Sequence, residues 1–134
     1  MTTGDYLESI HLALVENPIV KGYSIVRQRL ASQSGHLRVR IQLINGDFLE
    51  AAEFFRLTPE GIQVADYRHQ WMDSEQKNLR KRWDSTPHHP EISNTPHHVH
   101  IGGNDTVLPG QPMSIQHVLE TIAKEIAPCS PASP

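Results

Sequence analysis

The fold is decided by the stretch HLRVRIQLINGDFLEAAEFFRL, residues 36–57, in which two alternating segments flank the dipeptide Asn45-Gly46. Apolar and polar residues alternate with a period of two on both sides of this dipeptide, as in a half-buried β-strand. Asn-Gly favours a two-residue type I′ turn, because both residues tolerate positive φ. The stretch therefore predicts a β-hairpin in which Ile44 pairs with Asp47, and this pairing sets the register of the residues that follow.

The same alternation continues outside the hairpin. It predicts four strands, at 23–32, 36–44, 47–57 and 62–71, joined by longer hairpin loops at 32–35 and 58–61. The sequence therefore predicts a four-stranded antiparallel β-meander.

Helical periodicity appears at both ends of the chain. A first helix is predicted at 5–16, with Thr2 or Thr3 as its N-cap and Pro18 closing it, and a second runs from Ser114. A short helix from Asp73 or Ser74 to Arg82 follows the last strand, and prolines then force a histidine-rich irregular segment. The predicted fold class is α+β, with the N-terminal and C-terminal helices on one face of the sheet.

The register predicted from the turns assigns each strand residue to one of two faces. The face under the helices is predicted to hold Leu37, Val39, Ile41, Leu43, Phe48, Glu50, Ala52, Phe54, Ala65, Tyr67, His69 and Trp71, with Glu50 opposite His69. The other face collects five arginines: Arg27, Arg29, Arg38, Arg40 and Arg68. The guanidinium fork suits phosphate oxygens, so these are candidate nucleic-acid-binding residues. The alternative is an ordinary solvated face with ion pairs to Glu53 and Asp66.

Length and composition restrict the class of protein. A chain of 134 residues fits one domain, predicted at 1–127, with a disordered tail at 128–134. The single cysteine, Cys129, excludes an internal disulfide and a Cys-based zinc site. No apolar run approaches a membrane span and the N-terminus does not resemble a signal peptide, so a cytoplasmic location without membrane contact is expected. The net charge is -3, yet no acid lies between Glu16 and Asp47.

The histidines are concentrated late in the chain, with six of nine between His69 and His100. His98 and His100 are two residues apart, so in an extended segment both project from one face. Together with His88 or His89 they could bind zinc with one position left for water. No other cofactor is expected, and a divalent transition metal on this cluster remains open.

Acid-base cleavage of a phosphodiester is the other chemistry that these residues suit. Its candidate catalytic residues are His69, His98 and His100, with Arg82 or Arg68 stabilising the phosphate and Asp84 or Glu91 orienting an imidazole. Trp71 and Trp83 are interpreted as core packing, with base stacking as the alternative.

Four blocks of sequence carry a resemblance to a known family. They are Tyr67-Arg-His-Gln-Trp-Met-Asp73, Arg82-Trp-Asp84, Pro87-His-His-Pro-Glu91 and Pro96-His-His-Val-His100. In their residues and order the chain resembles the TumE family, the toxin component of bacterial and archaeal toxin-antitoxin pairs. The resemblance implies a small toxin that a cognate antitoxin protein inactivates. It supplies no catalytic assignment.

Three functional hypotheses follow. The leading one is a toxin that acts on RNA or another phosphodiester through the arginines and the histidine segment. The second is a non-enzymatic module that binds nucleic acid or an acidic protein, and the third is a metal-dependent hydrolase with histidine ligands. The sequence leaves homodimer formation open.

Overall fold

A computed structural model describes residues 1–85, 97–102 and 106–126 of the chain. Its elements, in chain order, are α1 (Thr3–Glu16), β1 (Val20–Leu30), β2 (Ser34–Leu43), β3 (Phe48–Thr58), β4 (Gly61–Met72), β5 (Leu79–Asp84), β6 (His98–Ile101), β7 (Thr106–Pro109) and α2 (Ile115–Ile126). The strands form one antiparallel sheet in sequence order. The α+β class and the meander are confirmed, whereas the count of four strands is wrong because the described sheet has seven. The predicted tail at 128–134 lies outside the described residues.

Both helices form as predicted, because each combines an apolar stripe with a suitable start. In α1 the amide of Asp5 donates to Thr2 Oγ1 over 3.0 Å, and the amide of Thr2 donates back to Asp5 Oδ2 over 2.8 Å. This capping box satisfies amides that a helix N-terminus leaves unpaired. Among the described residues, no helix is long and apolar enough to cross a membrane.

The core lies between the two helices and one face of the sheet. Of the residues of β2 and β4 that were predicted on this face, all except Ala65, which is only partly buried, are buried there: Leu37, Val39, Ile41, Leu43, Tyr67, His69 and Trp71. The helices contribute Leu7, Ile10 and Leu14 from α1 and Ile115, Val118, Leu119 and Ile122 from α2. Burial of this apolar surface is the main favourable contribution to folding.

The turn between β2 and β3 differs from the predicted two-residue loop. Leu43, rather than Ile44, pairs with Asp47: the Leu43 amide donates to the Asp47 carbonyl over 2.9 Å, and Gly46 donates to the Leu43 carbonyl over 3.0 Å. Of the turn residues only Gly46 has positive φ, at 93°, whereas a type I′ turn needs it at Asn45 as well. Because the loop is longer by one residue than predicted, each β3 side chain points to the opposite face of the sheet from the predicted one.

The prediction for β3 was therefore wrong. Phe48, Glu50, Ala52 and Phe54 lie on the face away from the helices, and their neighbours Leu49, Ala51, Glu53 and Phe55 are buried in the core. The longer loop places Asp47 inward, where its Oδ2 accepts the Trp71 indole N–H over 2.9 Å and contacts Arg80 Nε at 2.6 Å. These buried polar contacts stabilise the observed register.

A second irregularity restores the predicted facing of β4. The pairing shifts by one residue between Phe54 and Phe55, which leaves Ala65 as a bulge opposite this step. Two one-residue shifts cancel, so Tyr67, His69 and Trp71 face the core as predicted. His69 consequently lies opposite Ala51 rather than Glu50.

The short helix predicted from Asp73 or Ser74 to Arg82 is also wrong, because this segment is a turn followed by β5. Asp73 Oδ1 accepts the amides of Lys77 and Asn78 over 2.9 and 3.3 Å, as a helix N-cap would. Here these bonds close a hairpin loop in which Gln76 takes a φ of 58°. The same side-chain bond can stabilise a turn or a helix start, so the signal was ambiguous.

Candidate functional site

The face of the sheet away from the helices carries all five predicted arginines, Arg27, Arg29, Arg38, Arg40 and Arg68, which we call the arginine face. Arg27 lies opposite Arg38, Arg38 opposite Ala52, and Ala52 opposite Arg68. Directly paired residues of an antiparallel ladder point to the same side. The pairing of Arg27 with Arg38 is shifted by two residues from the pairing that the predicted loop at 32–35 implies, and a shift of two preserves the face.

The positive charge of this face is only partly neutralised. Glu50 lies between two arginines: its Oε2 accepts the Arg38 Nε–H over 2.6 Å, and its Oε1 is 3.7 Å from Arg40 Nε. Glu53, which was expected to neutralise the arginines, is buried on the opposite face. Within the described chain, Arg27, Arg29 and Arg68 form no ion pair. An excess of positive charge thus remains.

A groove of about 500 Å³ runs over this face, lined by Arg27, His36, Arg38, Glu50, Ala52, Arg68 and Gln70. Burial lowers the pKa of His36 below its ordinary value, and the positive charges of Arg27, Arg29 and Arg38 lower it further. His36 is therefore neutral at pH 7 and adds no charge to the groove. The sequence prediction missed His36 and Glu50 as groove residues, although His36 shares the alternation of Arg38 and Arg40.

Asp84, His98 and His100 form a second group on the same face, which we call the acid-histidine cluster. Asp84 lies opposite His98 in the β5–β6 ladder, and His100 follows on the same side of β6. His98 Nε2 is 2.9 Å from Asp84 Oδ1, and His100 Nε2 is 3.7 Å from Asp84 Oδ2. Asp84 Oδ2 also accepts the Arg82 Nε–H over 3.3 Å. Four of the residues predicted for the chemistry thus lie together: Arg82, Asp84, His98 and His100.

The members of the cluster and the neighbouring Arg82 differ in exposure. The Asp84 and His98 side chains are buried, whereas 17% of the His100 side chain and 24% of the Arg82 side chain remain exposed. A carboxylate in this position can fix the orientation of both imidazoles, and the two exposed groups can meet a substrate. The three cluster residues offer one ligand atom each, all within 4.8 Å of one another, so they could also hold a metal ion.

His69, the third histidine predicted to be catalytic, lies on the other side of the sheet. It pairs with Trp83 on the core face, and its Nε2 is 2.9 Å from the Met113 carbonyl oxygen. Burial lowers the pKa of His69 to about 4, so the ring is neutral at pH 7. Since the sheet separates His69 from the acid-histidine cluster, the structure does not bring it into the candidate site.

The two tryptophans also belong to the core face. Their rings stack at a centroid distance of 6.5 Å with an interplanar angle of 5°, and both are buried. Trp71 and Trp83 therefore act in packing and cannot stack on a base from this position. His88, His89 and Glu91, the remaining predicted metal or orienting residues, lie outside the described residues.

Comparison with known proteins supplies the family. A family model described as "Toxin TumE" matches residues 10–128 of the chain. No curated protein and no solved structure matches it. The match covers well over half of the 134 residues, as the sequence resemblance implied. The chain therefore belongs to the TumE toxin family.

Proposed function

We propose that this toxin acts on RNA, which it binds through the arginine face and cleaves at the acid-histidine cluster. The observation that carries the proposal is the ladder of paired residues Arg38, Ala52, Arg68, Asp84 and His98 across β2 to β6. Adjacent strands lie about 4.8 Å apart, so this row extends over about 19 Å on one face of the sheet. A single-stranded RNA bound by the arginines would therefore extend directly to the acid-histidine cluster.

The binding part of the proposal depends on phosphate contacts. Arg27, Arg29 and Arg68 have no ion-pair partner in the described chain, so their guanidinium groups are available to phosphate oxygens. Contacts to phosphate carry no sequence information, and affinity should therefore be similar for different single-stranded RNAs and should fall steeply with salt.

The chemical part of the proposal depends on the cluster and Arg82. Phosphodiester cleavage needs a group that activates the nucleophile and a positive charge that stabilises the phosphate oxygens in the transition state. In the acid-histidine cluster His100, its exposed member, would accept the proton of the ribose 2′-hydroxyl as that oxygen attacks phosphorus. The bond from phosphorus to the 5′ oxygen then breaks, and water would supply the proton that the leaving oxygen takes up. Arg82, which Asp84 orients, would provide the positive charge.

The test is a cleavage and binding assay on labelled single-stranded RNA with the purified protein. We expect His100→Gln to reduce cleavage by about 100-fold or more, the usual effect of removing such a group, with little change in affinity. Arg68→Ala should instead weaken binding to all RNA sequences. His11→Gln, on α1, is the matched control and should retain both activities.

One result would separate the RNA target from the toxin role. If the protein arrests growth on expression but neither binds nor cuts RNA, the target proposed here is wrong and the toxin role stands. Cleavage that survives in His100→Gln at the level of His11→Gln would instead remove the cluster from the chemistry.

The partners follow from the family and from the proposal. Membership of a toxin family implies a cognate antitoxin. RNA is the second partner we propose, and both would be met in the cytoplasm. The homodimer stays a prediction, which sedimentation of the purified protein would test.

A further inference from the structure

We propose that Asp84, His98 and His100 bind a divalent transition-metal ion, for which Zn²⁺ is the best match. The site stands on its own geometry and does not depend on RNA being the target. It differs from the site suggested by the histidine spacing alone, because its third ligand is the carboxylate of Asp84.

The positions of the ligand atoms fit one shared ion. The relevant separations are 2.9 Å between His98 Nε2 and Asp84 Oδ1 and 3.7 Å between His100 Nε2 and Asp84 Oδ2. Bonds of about 2.0–2.1 Å in a tetrahedral zinc site place neighbouring ligand atoms roughly 3.3 Å apart. These two separations end on different oxygens of the carboxylate. With one ligand atom taken from each residue, all three atoms lie within 4.8 Å of one another, so side-chain rotations that shorten the longest separation would coordinate the ion.

The backbone holds the three ligands in place before any ion arrives. His98 and His100 project from the same side of β6, and the β5–β6 ladder holds Asp84 opposite His98. A rigid site loses little conformational freedom on binding, which favours affinity. Val99, which lies between His98 and His100, points to the other side of the sheet, as does its partner Trp83, which precedes Asp84.

Burial and charge also support a cation here. The Asp84 and His98 side chains are 6% and 3% exposed. A buried carboxylate needs compensating positive charge, which a divalent ion would supply. Arg82 opposes the ion by its own charge, but its Nε contacts Oδ2 of Asp84, whereas the oxygen that faces His98 Nε2 is Oδ1. An orienting contact of this kind commonly supports a ligating carboxylate.

The ligand types select the class of ion. Imidazole nitrogens with one carboxylate suit Zn²⁺ and other transition metals, whereas Mg²⁺ and Ca²⁺ prefer sites built from oxygen. Three protein ligands leave a fourth position for water, the arrangement of catalytic rather than structural zinc sites. The exposed part of His100 indicates that this position would be reached from the arginine face.

The test uses the full chain, freed of metal with a chelator and titrated with Zn²⁺ by calorimetry. Co²⁺ is the second probe, because tetrahedral coordination gives intense visible absorption bands. We expect one ion per chain and a loss of affinity of at least about 100-fold in Asp84→Asn and in His100→Gln, since even an outer-shell contact is commonly worth 10–100-fold. His117→Gln, on α2, is the matched control and should bind like the unaltered protein.

Loss of metal binding can be distinguished from misfolding of a variant and from failure of the RNA proposal. His100 is partly exposed, so His100→Gln should fold even if Asp84→Asn, at a buried position, does not, and circular dichroism checks this. The proposal is overturned if neither ion binds stoichiometrically, or if Asp84→Asn and His100→Gln bind as well as the control. Loss of binding in the double variant His88→Gln, His89→Gln with retention in His100→Gln would also overturn it. RNA cleavage plays no part in these readouts.

Discussion

The two faces of the sheet each bury an acid and a histidine, but they surround them differently. On the core face Glu53 accepts hydrogen bonds from the Tyr6 hydroxyl at 2.5 Å and from the Ile115 amide at 2.6 Å. On the arginine face Asp84 contacts two imidazoles and a guanidinium. Neutral donors from α1 and α2 make Glu53 a connection between helices and sheet. Ionisable partners make Asp84 the centre of a candidate chemical site.

The comparison shows that residue type alone does not identify a functional group. His69 is the more deeply buried histidine and burial lowers its pKa to about 4, yet its partner is the Met113 carbonyl within the core. His100 is partly exposed and contacts a carboxylate. Core-face variants should therefore change stability, and arginine-face variants should change binding and chemistry with little effect on stability.

The largest effect on stability is expected for Glu53→Ala. Removal of the carboxylate leaves the Tyr6 hydroxyl and the Ile115 amide without their buried acceptor, at about 1–3 kcal/mol for each group. We expect the free energy of unfolding to fall by about 3–5 kcal/mol, measured by urea denaturation. Glu50→Ala, on the same strand but on the arginine face, removes surface ion pairs and should change it by less than about 1 kcal/mol. Equal losses would contradict the distinction between the faces.

The second effect is on the pH dependence of stability, to which the two core-face groups, His69 and Glu53, contribute with opposite signs. Burial lowers the pKa of His69 from 6.5 to about 4, so its contribution to stability is complete above pH 6.5 and is lost as the pH falls toward 4. The size is on the order of 3 kcal/mol. Burial raises the pKa of Glu53 above 4.5, so its contribution is complete below pH 4.5 and is lost as the pH rises through the raised pKa.

Two variants separate these contributions. The slope of unfolding free energy against pH between 4 and 6.5 should become more positive in Glu53→Gln, because the opposing group is gone. It should become more negative in His69→Phe. His11→Gln is the control and should follow the unaltered protein. Slopes that shift in the same direction in both variants would show that these pKa assignments are wrong.

The smallest effect on stability is expected for Arg38→Ala. The Arg38 side chain is 46% exposed and its ion pair with Glu50 lies at the surface, so the free energy of unfolding should change by less than about 1 kcal/mol. If Arg38 contacts a phosphate, the slope of log affinity for RNA against log salt should decrease by about one. Lys124→Ala, on α2, should leave this slope unchanged. An unchanged slope in Arg38→Ala would exclude this arginine from the RNA contact.

The sequence correctly predicted that the five arginines share one face, and it predicted the grouping of Asp84, His98 and His100 only in part. The arginines alternate within β1 and β2, and the shift of two residues between these strands does not alter their facing. Asp84 and His98 are brought together by β5, which was predicted as a helix because of the cap-like Asp73. A strand pattern is present in this segment, in which Leu79, Lys81 and Trp83 alternate with Arg80, Arg82 and Asp84. Six residues are too few for this pattern to outweigh the helix signal from Asp73.

The sequence by itself determined the two helices, the alternating strands and the residues that share a face within each strand, because capping and periodicity are local properties. Only the tertiary structure decided which face of β3 meets the core and which strand lies beside Asp84. The inward contacts of Asp47 with Trp71 and Arg80 accompany the longer loop, and the bulge at Ala65 restores the facing of β4. Register depends on contacts summed across strands, and a shift of one residue exchanges the two faces.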